Sequence, residues 1–339
     1  MAGKINGTNI KEFTLRNKNG MEVSFLDYGC IITKIIVPDR EGHLENVVLG
    51  YENIDQYADN PWYLGAVIGR FAGRISGGSF ELDGQTYALE QNDGNNHLHG
   101  GKTGFDKAIW QSECIAGGVR FTYESPDGDG GYPGNVKVAV TYTLNDENEF
   151  AIQYEAVSDA PTLLNMTNHT YFNLSGGLKW DITDHVLQID SDQYAELNDQ
   201  LLPTGTLQPV EGTSFDFRRG QPIQTGVESD DPQNKLAGEG YDHPFVLSGN
   251  GDITLSDEPS GRVLSIKTDQ NCVVLYAGTQ ITEGVPLNGG ESYKYAELCL
   301  ETQGLPDSIH HPQFPQSTLT KDERYVSRTV YRFSTRKGE

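Results

Sequence analysis

Thirty-nine glycines and fifteen prolines are spread through 339 residues, and both residue types disfavour helix interiors. Long helices therefore have no room. The segments between these breaks are short and alternating: "MEVSFLDYG", "GGSFELDGQTYAL", "GVRFTYESPDG", "NVKVAVTYTLNDENEFAIQYEAVSD", "CVVLYAG" and "VSRTVYRFST" carry β-branched or aromatic residues at period two. "TLNDENEFAI" and "ELDGQTY" read as hairpins, the second with the Asp-Gly pair that favours a type I′ turn. Short helices are expected only around "NIDQYADN" and "DQYAEL". With no linker, repeat or low-complexity tract, the pattern predicts an all-β chain, one large antiparallel β-sandwich of two twisted sheets forming a single domain over residues 1–339.

Charge narrows the partners. Forty-eight acidic against 25 basic residues give a formal net charge of -23, a surface that repels phosphate backbones and anionic lipid, so neither nucleic acid nor membrane is expected to bind. The opening "MAGKINGTNIKEF" lacks the apolar core of a signal peptide, and no stretch approaches the ~18 apolar residues of a membrane span. A cytoplasmic protein is expected. Cys30, Cys114, Cys272 and Cys299 stand apart, without a CxxC pair and among apolar neighbours, which predicts buried reduced thiols. Monomer and homodimer both stay open.

Several stretches imitate known sites and fail on particular residues. "NHLHGGKT" has Asn96 where a phosphate-binding loop needs glycine, and "GAVIGRFAGRISGG" lacks both the glycine order and the βαβ context of a dinucleotide site. No cofactor is expected. "PDGDGGYPG" lacks the third acidic position and closing Glu of a calcium loop, leaving a tight polar turn. His97 and His99 would share a face on a strand, but no Cys or second such pair stands nearby to complete a metal site.

"NMTNHTYFNLSG", Asn165 to Gly176, contains three Asn-x-Ser/Thr triplets, at Asn165, Asn168 and Asn173. In a cytoplasmic chain these are not modified. Their alternation matters more. Leu164, Met166, Asn168, Thr170, Phe172 and Leu174 make a mostly apolar set; Asn165, Thr167, His169, Tyr171 and Asn173 can all hydrogen-bond, so one face should pack the core and the other stay wet. "AELCLETQGLPD" repeats the design, with Leu298, Leu300 and Thr302 on one side and Glu297, Cys299, Glu301 and Gln303 on the other. An imidazole and a carboxylate, each on the polar face of an otherwise buried strand, are what a general acid and base pair requires.

Six stretches in order resemble the galactose mutarotase (aldose 1-epimerase) family: "GRFAGRISGG" from Gly69, "NHLHGG" from Asn96, "DGDGGYPG" from Asp127, "NHTYFNLSG" from Asn168, "GYDHPF" from Gly240 and "LETQGLPDSIHHPQFP" from Leu300. The resemblance implies a β-sandwich isomerase that interconverts α and β anomers of free aldohexoses without a cofactor. It implies His169 as general acid and Glu301 as general base. Arg74, His99 and Asp242 would hold the sugar, and Tyr276 would place an aromatic ring in the cleft. Two positions depart from the family pattern: Gly73 where many members have Asn, and Val274 where many have Gln.

The chemistry fits the residue types. Ring opening requires one proton to leave the C1 hydroxyl while another reaches the ring oxygen, and a carboxylate with a protonated imidazole supplies both. Glu301 nearby is expected to favour the charged form of His169. Same-fold alternatives are an epimerase acting on a hexose 6-phosphate or on a disaccharide such as maltose. Further alternatives are a non-catalytic sugar-binding module, or a lyase or glycosidase on a related sandwich.

Overall fold

The computed structural model describes residues 3–249 and 251–336. Strands dominate it. The first larger sheet has four strands in sequence order: β1 (Glu12–Arg16), β2 (Glu22–Leu26), β3 (Ile32–Pro38) and β4 (Leu44–Asn46). Next come β5 (Gln111–Ile115), β6 (Gly118–Ser125), β7 (Val136–Leu144), β8 (Glu149–Ser158), β9 (Tyr171–Phe172), β10 (Val186–Ile189), β11 (Gln193–Leu197) and β12 (Pro203–Pro209). The last are β13 (Gln221–Pro222), β14 (Asp242–Val246), β15 (Ile253–Ser256), β16 (Arg262–Thr268), β17 (Cys272–Tyr276), β18 (Leu298–Gln303) and β19 (Arg324–Thr335).

These form a nine-stranded sheet in the order β5-β6-β7-β8-β19-β16-β15-β10-β13 and a six-stranded sheet in the order β9-β18-β17-β14-β11-β12. The long β7–β8 hairpin shows how sequence sets the packing. Val136, Val138, Val140 and Tyr142 alternate into the core opposite Phe150, Ile152, Tyr154 and Ala156. The same core takes Phe25 and Ile35 from the four-stranded sheet and Phe245, Leu275, Leu298 and Leu300 from the six-stranded one. The nine-stranded sheet thus packs on the other two, with Phe172 against Tyr331 at 5.6 Å and Thr302 Oγ1 bonded to Thr329 Oγ1 at 2.7 Å. Among the described residues no helix is long and apolar enough to cross a membrane.

Both expected hairpins form. At "ELDGQTY", Asp83 and Gly84 take φ of 52° and 75°, the left-handed pair of a type I′ turn. Of the two expected helices, one forms as a 3-10 turn at Ile54–Asp59. The other is a strand: "DQYAEL" lies in β11, where Tyr194 stacks on Phe215 with centroids 4.0 Å apart and pairs across the sheet with Phe245. Partners on both sides overrode a weak local preference. The α-helices lie elsewhere, at Gln224–Val227 and Pro232–Leu236, the second capped by Asp231 with proline at its start.

Two further expectations need correction. Cys30, Cys272 and Cys299 are buried, but Cys114 is exposed, because it lies on β5 at the sheet edge. "NMTNHTYFNLSG" is neither one continuous strand nor wet on one side: it breaks into Thr167–Asn168 and Tyr171–Phe172, and both faces are buried. Loops cover the polar side. All three sequon asparagines are buried and occupied: Asn165 bonds Ala72 O, Gly304 O and Gly304 N, Asn168 bonds Gly65 O, and Asn173 bonds Trp180 O and Ala296 O. They brace the chain around His169 and are closed to modification.

Candidate active site

Strand alternation builds the floor of the site. On β18, Leu298, Leu300 and Thr302 turn toward the nine-stranded sheet, so Cys299, Glu301 and Gln303 turn the opposite way. Register then lines up Asp242, Tyr276 and Cys299 in one row across β14, β17 and β18, and Pro244, Val274 and Glu301 in the next. Loops and strand ends carrying Trp62, Tyr63, Gly73, Arg74, His99, Leu197, Leu201, Pro203 and Pro306 wall the resulting cavity of about 170 Å³. Arg74, His99, His169, Asp242, Tyr276 and Glu301, all singled out from sequence, line it together. A larger hollow of about 880 Å³ lies on the outer face of the nine-stranded sheet, but its lining contains no histidine and none of those six residues.

His169 is fixed by its own backbone, which donates to Ala66 O and accepts from Gly65 N. Its Nε2 stands 3.4 Å from Glu301 Oε1, both side chains being almost fully buried. Its Nδ1 faces Cys299 Sγ at 3.5 Å. Burial lowers the imidazole to about 4. Burial, with Asp242 adding to it and Arg74 opposing, holds the Glu301 carboxyl well above the usual range. The expectation that Glu301 keeps His169 charged is therefore corrected. Desolvation outweighs the attraction, and the pair holds its proton on the carboxyl.

His99 accepts a hydrogen bond on Nδ1 from the Gly73 amide at 3.1 Å. Burial, then His169 and Arg74, keep it neutral by pushing its pKa well down. A neutral imidazole that accepts at Nδ1 carries its proton on Nε2. The donor atoms of His99, His169 and Glu301 all lie within 4.8 Å of one another, a spacing that suits a divalent cation. The donor set does not suit one. Ligation through His99 Nε2 would require its proton to leave, and the Gly73 amide blocks Nδ1 from taking it. His97 is not part of this group: its nitrogens meet Glu90 O at 2.6 Å and the Tyr132 hydroxyl at 2.7 Å, a satisfied structural histidine.

Arg74 is held between two carboxylates, Nε at 2.7 Å from Asp93 and Nη1 at 3.7 Å from Asp242. Burial alone would lower its pKa, but Asp242 and Asp93 outweigh that and raise it. Asp242 itself is raised by burial against the pull of Arg74. The Tyr276 hydroxyl accepts from the Gln280 amide at 2.9 Å, which pins its ring at the cavity edge.

Three residues of the site were not foreseen. Asp93 lies in a polar turn, "NDGNN", with no pattern to mark it as the brace of Arg74. Tyr63 takes a left-handed φ of 55° and lays its ring 4.8 Å from His99 and 5.9 Å from His169, a conformation disfavoured for a bulky residue and tolerated where the surroundings enforce it. Cys299 reads from sequence as one more buried thiol.

The departure at Gly73 has a steric cause. Its φ is +84°, and a Cβ there would lie 2.8 and 2.9 Å from Cβ and Cγ of Pro306. Gly73→Asn is expected to cost about 1–3 kcal/mol, read as a lower denaturation midpoint, and to leave affinity for sugar no better. An unchanged midpoint would show that the Pro306 wall yields.

Comparison with known proteins places the chain in a family. The family model for aldose 1-epimerase matches residues 11–332. The chain is 40% identical over 333 residues to galactose mutarotase from Mus musculus, covering 97% of this chain and 95% of that one. It is 39% identical over 331 residues to aldose 1-epimerase from Escherichia coli, covering 94% of each. The crystal structure of galactose 1-epimerase from Lactobacillus acidophilus superposes with a TM-score of 0.87 at 34% identity, covering 98% of this chain and 97% of that one. A matched span from the first sheet to the last strand, together with relatives of about the same length, settles the assignment: the chain belongs to the aldose 1-epimerase family.

Proposed function

We propose that this chain interconverts the α and β anomers of free aldohexoses such as galactose and glucose, opening the ring to its aldehyde by general acid and base catalysis. The reading rests on one observation: His169 Nε2 and Glu301 Oε1, 3.4 Å apart, face a small cavity into which Arg74, His99 and Asp242 bring donors and acceptors suited to hydroxyl groups between apolar walls. The mutarotase names of the relatives support it. Glu301 takes the proton of the C1 hydroxyl while His169 gives one to the ring oxygen, and the C1–O5 bond breaks. Rotation about C1–C2 then presents the other carbonyl face, and the two transfers run backwards. Asp242 accepts from hydroxyls, Arg74 donates from its fork, His99 donates from Nε2, and Tyr276 walls the cleft.

The proton count is consistent through the cycle. Ring opening begins with imidazolium and carboxylate and ends with neutral imidazole and carboxylic acid, and the latter is the state that burial favours. Sugar hydroxyls bonding to both groups, with Arg74 nearby, offset the cost of separating the charges. The direct contact gives the proton a path between them.

Phosphorylated sugars fit less well. Arg74 is the one Lys or Arg in the lining, and two carboxylates already engage it. Polarimetry on freshly dissolved α-D-galactose and α-D-glucose, against glucose 6-phosphate, tests the reading; no acceleration with either free hexose would overturn it. The pH profile gives a second check. kcat/KM is expected to stay level below 6.5, the ordinary histidine value, and to fall only as pH nears about 4, since a second proton on the pair must charge the buried imidazole. A fall centred near 6.5 would contradict this.

A further inference from the structure

The two ring nitrogens of His169 are addressed by one strand. Glu301 meets Nε2 at 3.4 Å and Cys299, two residues earlier on the same face of β18, meets Nδ1 at 3.5 Å. The aromatic rings packed on it are Tyr171 on β9 at 5.0 Å, His99 at 5.2 Å and Tyr63 at 5.9 Å, and its own backbone gives it one further hydrogen bond. None of these is a carboxylate behind Nδ1. A histidine of this same chain supplies the contrast: His310 Nδ1 sits 2.6 Å from Asp307 Oδ1, and that hydrogen bond raises its pKa. Sulfur is a weak donor and a weak acceptor. Burial, reinforced by Glu301, Glu297 and Asp242, pushes the Cys299 thiol well up, so it stays uncharged.

Resting on the reading above, we propose that Cys299 is a positioning residue for His169: its thiol fixes the nitrogen that faces the sugar while withholding the anionic support that would keep the imidazole charged. A proton placed on Nε2 is then released readily to the ring oxygen. With imidazolium, sulfur accepts only weakly from Nδ1–H; once Nε2 has given its proton to the ring oxygen, the remaining proton stays on Nδ1 against the sulfur, and the free Nε2 can take a proton back from sugar or from Glu301. The partner of one ring nitrogen sets the behaviour of the other.

The test uses Cys299→Ser, nearly isosteric, and Cys299→Ala in the full chain, with the imidazole nitrogens of His169 followed by 15N NMR alongside anomerisation kinetics. Serine oxygen is the stronger acceptor, so in Cys299→Ser the His169 titration and the acid limb of kcat/KM should both move up by about half a pH unit or more, with KM changed less than about twofold. Cys299→Ala should mix the two neutral tautomers in the 15N shifts and lower kcat by about tenfold. Should the alanine variant not fold, the serine variant alone decides. Unmoved 15N shifts and an unmoved acid limb in the folded variants would overturn the proposal. A chain without anomerase activity would sink the functional reading, yet the NMR titration would still report whether the thiol governs His169.

Discussion

Glu301→Gln and His169→Asn are each expected to lower kcat for anomerisation of fresh α-D-glucose by about 10²–10⁴-fold, with a far smaller change in KM. Glutamine keeps the volume of Glu301 and asparagine puts a smaller polar group in place of the imidazole, while both remove the ability to take or give the reacting proton. Because the two transfers act together in breaking one bond, the double variant should be little slower than the slower single variant. Polarimetry measures the rates, and circular dichroism confirms folding. Near-normal turnover in either folded variant, or losses that multiply in the double variant, would refute the paired role. Orientation explains why so small a constellation suffices: His169 is bonded through its backbone to Gly65 and Ala66, and Glu301 lies within the six-stranded sheet, so neither group has to be ordered when sugar arrives.

The second large effect concerns Arg74. Arg74→Met would leave Asp242 buried without its cation, and removing one partner of a buried pair costs about 3–5 kcal/mol. Expressed through sugar binding and transition-state contacts, that corresponds to a fall in kcat/KM of about 10²–10⁴-fold. Arg74→Lys should recover little of it, because an ammonium cannot meet Asp93 from the Nε position and still face the cavity with a planar fork. Full recovery by lysine would mean that charge alone matters and that the fork geometry described above is incidental.

Much of this was legible in the chain because its physics is periodic. Glycine spacing and alternation revealed an antiparallel β architecture, and the same alternation put His169 and Glu301 on the polar sides of their strands. Alternation cannot say what lies opposite a polar face. The asparagine-rich segment therefore looked wet, when loops cover it and its side chains bind the backbone. "DQYAEL" fails for a related reason: its fate depends on Phe215 and Phe245, which are 21 or more positions away. Asp93 was invisible because a turn aspartate usually serves its own turn, and only the folded chain brings it to Arg74. The charge state of the pair was misjudged because proximity of opposite charges was weighed without the cost of drying them.

The bond from the Gly73 amide to His99 Nδ1 has one more implication. The group that decides which nitrogen of His99 carries its proton belongs to the main chain, and every amino acid except proline carries it. Drift of the side chain at that position can reshape the cleft or destabilise its wall, yet the polarity of His99 survives because it is written into the peptide link. A substitution at residue 73 that the Pro306 wall accommodates would therefore leave in place the donor that His99 presents to the cavity.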